Sequence, residues 1–385
     1  MSYITDERRL IQESARKFSN EIVLPIANEY DPLQKDIPLT LRNQLADMGY
    51  FGILIPEEYG GLGLGCFEYC LITEELSRAW MSVGSIIRHV GLMFLGGLTT
   101  KQKEKYLPKM ATGEFLGAFA MSEPNAGSDI SNISTRATKV NGGWRISGNK
   151  YWCTFADGAD YIVVIARTSE PDEPNKKHRG LSAFLIKKNR DELPESVYGS
   201  PIPKIGYFGW KTWELSFDNV FVPEENLIGE EGRAFYLITQ GLETARAHTA
   251  ARSIGLAQAA LDGAIKFAEE REQFGAPISN FQAIRFQIAT MATKIEAARQ
   301  LMYFVCNQID TGQRCDKEAA MVKLYASEVS EFVTSTALQI HGGAGYTHHY
   351  PVERHWRDAR LTKIFEGTSE IQQRIIADNL LGKQK

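Results

Sequence analysis

The sequence has few cysteines, no long apolar run and no excess of positive charge. Five cysteines in 385 residues are too few for a disulfide framework. The uncharged stretch from 89 to 100 is far shorter than the ~20 apolar residues that cross a bilayer. With 43 Lys and Arg against 47 Asp and Glu, the formal charge is −4. The sequence therefore predicts a cytoplasmic protein that binds neither nucleic acid nor a membrane.

Several common functional motifs are also missing. The sequence contains no GxGxxG, GxxxxGK[ST], GxSxG or HExxH, which argues against Rossmann dinucleotide binding and against P-loop, serine-hydrolase and zinc-protease chemistry. Cys66 and Cys70 are four residues apart, so a helix would bring their thiols onto one face. No second ligand pair with zinc spacing accompanies them, and free thiols without a metal site are predicted. Neither an export signal in MSYITDERRL nor a peroxisomal tripeptide in the final GKQK is present.

The first part of the chain, residues 1–115, has helical periodicity. Leu10, Ile11, Phe18 and Ile22 recur at helical spacing, and Pro25 is expected to end that run. Further helices are predicted at 39–48, 66–79 and 101–110. This part is interpreted as an N-terminal helical domain.

The middle part, residues 116–228, changes to the period of a strand. Residues 212–217 alternate between polar and apolar, and 161–166 and 181–186 are rich in β-branched and aromatic residues. Asn141-Gly142-Gly143 between two such segments is a hairpin signal. We expect a middle antiparallel β-domain.

The last part, residues 229–385, is helical again. A seam of apolar residues in steps of four and three predicts a long helix that packs lengthwise on others: Ile284, Ile288, Met291, Ile295, Ala298, Met302 and Val305. The final helix is expected to begin near Thr368 and to end at Gly382. The fold class predicted for the whole chain is α+β with several domains, the last of them a four-helix bundle.

Six segments in a fixed order carry a resemblance to a known family. Each alone has an ordinary explanation, such as a turn, a core aromatic or a solvated charge. Together they resemble the acyl-CoA dehydrogenase family over essentially the whole chain. The segments are PEEYGG (56–61), KYLPKMATGE (105–114), MSEPNAGSD (121–129), REQFG (271–275), QIHGGAGY (339–346) and FEGTSEIQ (365–372).

The resemblance implies bound FAD and an acyl-CoA thioester that is dehydrogenated between its α and β carbons. It assigns Met121, Ser122, Trp152 and Thr154 to the flavin ring, and Thr368 and Glu370 to the diphosphate or adenosine. Residues that resemble contacts to a neighbouring subunit's FAD imply a homotetramer, built as a dimer of dimers: Arg271, Phe274, Gln282, Gln339, Gly342 and Gly343. Ser128, Glu243 and Arg246 match positions that contact the CoA portion, and Ser128 is also placed with the cofactor contacts.

Glu366 matches the catalytic base of the family, and Gly367 beside it matches a backbone N–H that polarises the thioester. Such a base needs a carboxylate within reach of the α-proton and shielded from water. Some relatives carry the base on an earlier helix, just before an arginine. That position is Ala245 here, followed by Arg246, which favours Glu366.

The substrate is not determined by these motifs. Arg88 and His89 interrupt an apolar segment, residues 80–98, that resembles the wall of the family's acyl pocket. One hypothesis is that Arg88 binds a carboxylate or other polar tail of the acyl group. The alternative, which we favour from the sequence, is that Arg88 reaches solvent or pairs with an acidic neighbour. Residues 207–210, Tyr-Phe-Gly-Trp, are bulkier than expected, and we interpret them as reshaping the surface near the CoA or flavin entrance.

The predicted function is FAD-dependent dehydrogenation of an acyl-CoA to the trans-2-enoyl-CoA. In this prediction Glu366 abstracts the α-proton, the β-hydride goes to flavin N5, and electrons pass to electron-transferring flavoprotein. Two alternatives stay open. One is an enoyl-CoA reductase that runs the same chemistry in reverse, and the other is a non-catalytic CoA- or flavin-binding scaffold.

Overall fold

A computed structural model describes residues 3–89, 92–171, 173 and 176–382. Helices lie on both sides of a central sheet domain along the chain. The helices are α1 (Asp6–Phe18), α2 (Leu24–Tyr30), α3 (Leu39–Asp47), α4 (Cys66–Ala79), α5 (Met81–Ile86), α6 (Thr100–Ala111), α7 (Ala234–Gln240), α8 (Leu242–Glu270), α9 (Gln282–Asp310), α10 (Asp316–His341), α11 (Val352–Thr362) and α12 (Ser369–Leu381). None of these helices is both long and apolar enough to span a bilayer.

The predicted N-terminal helices are confirmed at α3, α4 and α6, but the expectation that Pro25 ends the first run is wrong. Residues 19–23 form a π-helical turn after α1, and α2 continues from it with Pro25 in its first turn. A first-turn position does not need the amide hydrogen that proline lacks, so the chain stays helical through it.

The middle of the chain forms an eight-stranded sheet, and a separate two-stranded ribbon (β9, β10) follows in the C-terminal part. The order in the sheet is β6-β7-β3-β2-β4-β5-β8, with β1 beside β4. The strands are β1 (Gly117–Ala120), β2 (Arg136–Val140), β3 (Gly143–Thr154), β4 (Tyr161–Arg167), β5 (Leu181–Lys187), β6 (Val197–Pro201), β7 (Thr212–Pro223), β8 (Leu227–Ile228), β9 (Glu272–Gln273) and β10 (Ala276–Pro277).

Most of the sheet is antiparallel, as predicted. The β2–β3 hairpin closes where expected, with Val140 opposite Gly143 and Gly142 in the left-handed region at φ 78°. The exceptions are β1 and β2, which both pair in parallel with β4. The β2–β3 hairpin lies between β1 and β4 in the sequence, which leaves ample chain for the crossover that parallel neighbours require.

The C-terminal part is a bundle in which α8, α9 and α10 pack against one another and α12 packs on α10. The predicted seam of α9 is buried from Met291 to Val305, while Ile284 and Ile288 near its start are partly covered. Helix α12 begins and ends as predicted. The Thr368 hydroxyl accepts a hydrogen bond from the Ile371 amide, and Gly382 follows the last turn at φ 83°.

All five cysteines are free thiols. The four-residue spacing places Cys66 and Cys70 on one face of α4 with their sulfur atoms 4.0 Å apart, and Cys306 of α9 lies 4.0 Å from Cys66. These sulfur atoms lie within 4.8 Å of one another in a buried cluster. The absence of a bound metal here stays a prediction.

Candidate active site

Glu366 lies in the short turn between α11 and α12 and has a left-handed backbone, with φ at 56°. Gly367 follows at φ 89°. Left-handed backbone is uncommon for a residue with a side chain and costs about 1–3 kcal/mol, which the surrounding contacts have to offset. Lys323 of α10 donates a 2.6 Å hydrogen bond to the Gly367 carbonyl, and the Gln372 amide donates a second at 3.0 Å. These two donors hold the turn that presents the Glu366 carboxylate.

Two guanidinium groups donate hydrogen bonds to the Glu366 carboxylate. Arg252 of α8 donates to Oε1 at 2.9 Å, and Arg88, just after α5, donates to the same oxygen. Within the described residues Oε2 has no hydrogen-bond donor. Two cations on Oε1 favour the ionised carboxylate, and they leave its second oxygen for another partner.

The two arginines differ in how firmly they are held. Arg252 is fully buried, donates to Ser85 Oγ at 3.0 Å and Thr249 Oγ1 at 2.9 Å, and lies 4.6 Å from the Phe365 ring centroid. Burial lowers the pKa of Arg252 to about 10, so it stays charged at neutral pH. Arg88 is 28% exposed, and within the described residues its guanidinium donates only to Glu366. Arg252 is therefore fixed, whereas Arg88 is free to change partners.

The pairing of Arg88 with Glu366 agrees with the favoured sequence hypothesis, an acidic neighbour. The neighbour is the same carboxylate that matches the catalytic base, which the sequence did not indicate. Residues 90 and 91 of the acyl-pocket segment lie outside the described residues.

Two histidines near the arginines are neutral, the half-buried His89 and the buried His248. His89 donates through Nδ1 to the Gly117 carbonyl at 2.7 Å, and His248 donates through Nε2 to the Gly84 carbonyl at 3.1 Å. Burial lowers the pKa of His89 to about 3 and that of His248 well below its ordinary value, and the nearby arginines add to both shifts. They contribute no charge to the site at neutral pH.

The predicted flavin-contacting residues meet where β1 ends beside β3. The Tyr151 amide donates to the Ser122 carbonyl at 2.8 Å, which joins the two motifs. The β3–β7 ladder has an irregularity between Lys150 and Cys153, and Trp152 inside it has φ at 64° and an indole that is 56% exposed. Such irregularities commonly turn a side chain outward next to active sites. Thr154 follows, with its hydroxyl 3.1 Å from Thr212 Oγ1.

A buried ion pair lies beneath these residues. Lys150 donates to Glu123 Oε1 at 2.8 Å and to the Met121 carbonyl at 2.9 Å. Glu123 also accepts hydrogen bonds from Ser134 and Thr135. Burial opposes ionisation of Glu123, but Lys150 and these donors outweigh it and lower its pKa to about 2. The pair therefore fixes the backbone of residues 121–123.

The Tyr207–Trp210 loop does not reshape an outer surface, so that interpretation is wrong. Tyr207 and Trp210 are buried. Trp210 lies 5.9 Å from Phe155 and 5.3 Å from Tyr207, and Tyr207 lies 5.9 Å from Phe365, measured between ring centroids. The loop is an internal aromatic bridge between the end of β3 and the Glu366 turn, and its bulk fills that space.

The residues assigned to CoA are in three different environments. Ser128 is exposed. Glu243 accepts a 2.9 Å hydrogen bond from the Cys315 amide and so ties α8 to the start of α10. Arg246 is buried, and its Nε has no hydrogen-bond partner within the described residues. A buried guanidinium with an unsatisfied donor suits an anionic ligand.

The residues assigned to a neighbouring subunit's FAD share one property, exposure in the single chain. Phe274 is 97% exposed on the β9–β10 ribbon. The others are exposed as well: Arg271, Gln282, Gln339, Gly342 and Gly343. Glu370 is exposed in the first turn of α12, and the structure brings none of these residues to Glu366.

Sequence reasoning missed Arg252, Lys323 and Lys150. Arg252 and Lys323 are cations within stretches of long helices that are mainly small and apolar, and all three side chains are buried. That pattern was the available signal, because a cation at a core-facing position requires a buried partner. For Arg252 the partner is Glu366, 114 residues away in the sequence.

Three family models cover most of the chain. The acyl-CoA dehydrogenase N-terminal domain matches residues 5–114, the middle domain 118–220 and the C-terminal domain 232–381. The chain belongs to the acyl-CoA dehydrogenase family. It is accordingly an FAD-dependent oxidoreductase that acts on the CH–CH group of an acyl-CoA.

Two curated relatives show the range of reactions among similar proteins. A (2S)-methylsuccinyl-CoA dehydrogenase of Cereibacter sphaeroides is 41% identical over 99% of this chain and 70% of its own. A 3-(aryl)acrylate reductase of Clostridium sporogenes is 39% identical over 98% of this chain and 100% of its own.

Several solved structures have the same architecture. Butyryl-CoA dehydrogenase of Megasphaera elsdenii is 34% identical with a TM-score of 0.91, covering 98% of this chain and 99% of that one. A chain from a study of the electron-transferring flavoprotein of Acidaminococcus fermentans is 36% identical with a TM-score of 0.93 and full coverage of both. An FAD complex of PigA is 28% identical with a TM-score of 0.91, covering 99% of both chains.

Proposed function

We propose that the protein dehydrogenates an acyl-CoA to the trans-2-enoyl-CoA with Glu366 as the base that removes the α-proton. The observation that carries this proposal is the Glu366 carboxylate, which two arginines hold through Oε1 while no described residue donates to Oε2. In this proposal Oε2 is the proton acceptor. The Lys323 bond to Gly367 fixes the turn, so that the Gly367 amide is positioned to polarise the thioester carbonyl.

The residues around β1 and β3 fit the flavin ring. They supply an exposed indole at Trp152, hydroxyl groups at Ser122 and Thr154, and a backbone held by the Glu123–Lys150 pair. A planar aromatic ring with polar edges needs such a combination of apolar surface and donors. FAD, when bound, accepts the two electrons and the β-hydrogen that leave the substrate. Arg246, whose Nε has no hydrogen-bond partner in the described part of the chain, would hold an anionic part of CoA.

The remaining assignments are proposals of the same kind. We propose electron-transferring flavoprotein as the electron acceptor, a homotetramer as the assembly and the cytoplasm as the location. Phe274, at 97% exposed, and Phe286, at 62%, support an assembly that covers apolar surface near the start of α9. The reductase of Clostridium sporogenes supports the reverse reaction as a second candidate, since catalysis lowers the barrier in both directions.

The direction is tested by product analysis with purified holoenzyme. The enzyme is incubated with short, medium, branched, aromatic and dicarboxylic acyl-CoAs and with ferrocenium as the electron acceptor. The masses of the products are then measured by mass spectrometry. Loss of two mass units from one class of acyl-CoA supports the dehydrogenase. Conversion of only the matching enoyl-CoAs, when these are incubated with a reduced electron donor, supports the reductase. No change in either direction would contradict both reactions.

Replacement of Thr368 by alanine is expected to weaken both the fold and FAD retention. Losing an N-terminal cap destabilises a protein by about 1 kcal/mol. Thr5→Ala is a matched control, because Thr5 caps α1 in the same way and is not assigned to FAD. Chemical denaturation and FAD dissociation are measured for both variants. Equal FAD affinity in the two would contradict the assignment of Thr368 to the cofactor.

A further inference from the structure

The charges around Glu366 are unbalanced. Arg88 and Arg252 both donate to Glu366 Oε1, and within the described residues no other carboxylate bonds to either guanidinium. The other titratable groups facing these arginines do not restore the balance. His89 and His248 are neutral, and Tyr69 and Tyr207 have pKa values raised by burial. Burial lowers the pKa of Lys323 to about 7, so it adds positive charge or none. The site has at least one cation more than it has anions.

The pairing with Arg88 also opposes the proposed chemistry. A carboxylate bound to two guanidinium groups is a poor proton acceptor, because both partners favour its ionised form. Arg252 cannot leave, since it is fully buried and tied to Ser85 and Thr249. Arg88 has no second tie within the described residues and is partly exposed. If Glu366 gains proton affinity by losing one of its two partners, the partner that leaves is therefore Arg88.

We propose that the substrate is a short acyl-CoA with a second carboxylate on its acyl chain, and that this carboxylate takes Arg88 from Glu366. The inference rests on the proposed function, because it takes Glu366 to be the base. The exchange has two effects. It neutralises the excess cation by a charge-assisted bond to the substrate, and it leaves Glu366 with one guanidinium and a higher affinity for the α-proton.

The contact between Arg88 and Glu366 limits the length of the acyl chain. The base must come within about 2.6–3.2 Å of the group that it deprotonates, and Arg88 touches the same carboxylate. A carboxylate that replaces Glu366 as the partner of Arg88 is therefore only a few bonds from the α carbon. Four- and five-carbon diacyl groups, such as succinyl, methylsuccinyl and glutaryl, meet this limit, and chains of eight carbons or more do not.

The first test compares two acyl-CoAs of equal length. Glutaryl-CoA carries the second carboxylate, and valeryl-CoA ends in a methyl group. Anaerobic flavin bleaching at several substrate concentrations gives the second-order rate constant of flavin reduction for the wild type, Arg88→Gln and the charge-retaining Arg88→Lys. We expect the wild type to prefer glutaryl-CoA, Arg88→Gln to lose about 100-fold more activity with glutaryl-CoA than with valeryl-CoA, and Arg88→Lys to recover part of that loss.

The second test measures binding without turnover. Glu366→Gln removes the protein's own carboxylate from Arg88, so glutaryl-CoA is expected to bind about 10-fold more tightly to this variant than to the wild type. The wild-type dissociation constant is measured under anaerobic conditions with the flavin already reduced, where no turnover occurs. The affinity for valeryl-CoA should not change, and the double variant Glu366→Gln/Arg88→Gln should lose the gain.

The outcomes separate the inference from the proposed function. If valeryl-CoA bleaches the flavin as fast as succinyl- and glutaryl-CoA do, with equal losses for all three in Arg88→Gln, the carboxylate exchange is overturned. That result would leave the proposed dehydrogenase function intact. No gain in affinity for glutaryl-CoA in Glu366→Gln would also overturn it. If no acyl-CoA of either kind bleaches the flavin, the proposed function itself is contradicted.

Discussion

Glu366→Gln is expected to lower the rate of flavin bleaching by the best acyl-CoA substrate about 10³- to 10⁴-fold and to leave the protein yellow. The lost rate corresponds to removal of a positioned general base. Glutamine has almost the same shape, and its amide oxygen still accepts the hydrogen bond from Arg252, so the turn at 366–367 keeps its two supports from Lys323 and Gln372. We expect FAD binding not to depend on the charge that is removed.

Glu331→Gln is the matched control for this variant. Glu331 is also paired with two cations, Arg360 and Lys363, but it lies outside the site. Its substitution should leave bleaching within about twofold of the wild type. A Glu366→Gln protein that bleaches at the control rate would contradict the assignment of the base. A colourless Glu366→Gln protein would show that the residue supports cofactor binding instead.

Lys150→Met is expected to destabilise the protein by about 3–5 kcal/mol and to speed the loss of FAD. The substitution leaves Glu123 buried without its cation, and removing one partner of a buried pair is far more harmful than removing both. Lys150 also donates to the Met121 carbonyl, so the backbone beside the proposed flavin site loses a tie as well. Chemical denaturation and the rate of FAD release measure the two effects.

The double variant Glu123→Gln/Lys150→Met separates charge from packing. It removes the unpaired charge that the single variant leaves, so it should recover part of the lost stability. If the free energy of unfolding of Lys150→Met is within about 1 kcal/mol of the wild-type value, the pair does not support the sheet. If the double variant is less stable than the single one, lost packing rather than charge explains the effect.

Regular elements were predictable because each is specified by its own stretch of sequence. The α9 seam needs only the spacing of apolar residues, and the β2–β3 hairpin needs only a glycine where φ is positive. The Pro25 prediction failed because a breaker residue is tolerated in the first turn of a new helix, and the π-turn that starts this helix leaves no simple pattern. The parallel pairing of β1 with β4 depends on chain crossing, which local periodicity does not encode.

The candidate site was only partly predictable, for a related reason. Glu366 and the motifs assigned to the flavin were found from resemblance. Their surroundings join residues from distant parts of the chain, and Arg88 is 278 residues from Glu366. The sequence marked Arg88 as unusual in an apolar segment but gave no means of choosing its partner. Tyr207 and Trp210 were conspicuous for their bulk, yet whether such bulk is inside or outside is decided by tertiary packing.

The most direct test of the central claim is a single anaerobic titration of the yellow wild-type protein with glutaryl-, valeryl- and butyryl-CoA, recorded in the visible spectrum. Bleaching of the flavin band by at least one of them, with formation of the matching enoyl-CoA, is the expected result. A protein that binds FAD but is bleached by none of these or by other acyl-CoAs would contradict the claim that it oxidises acyl-CoA through Glu366.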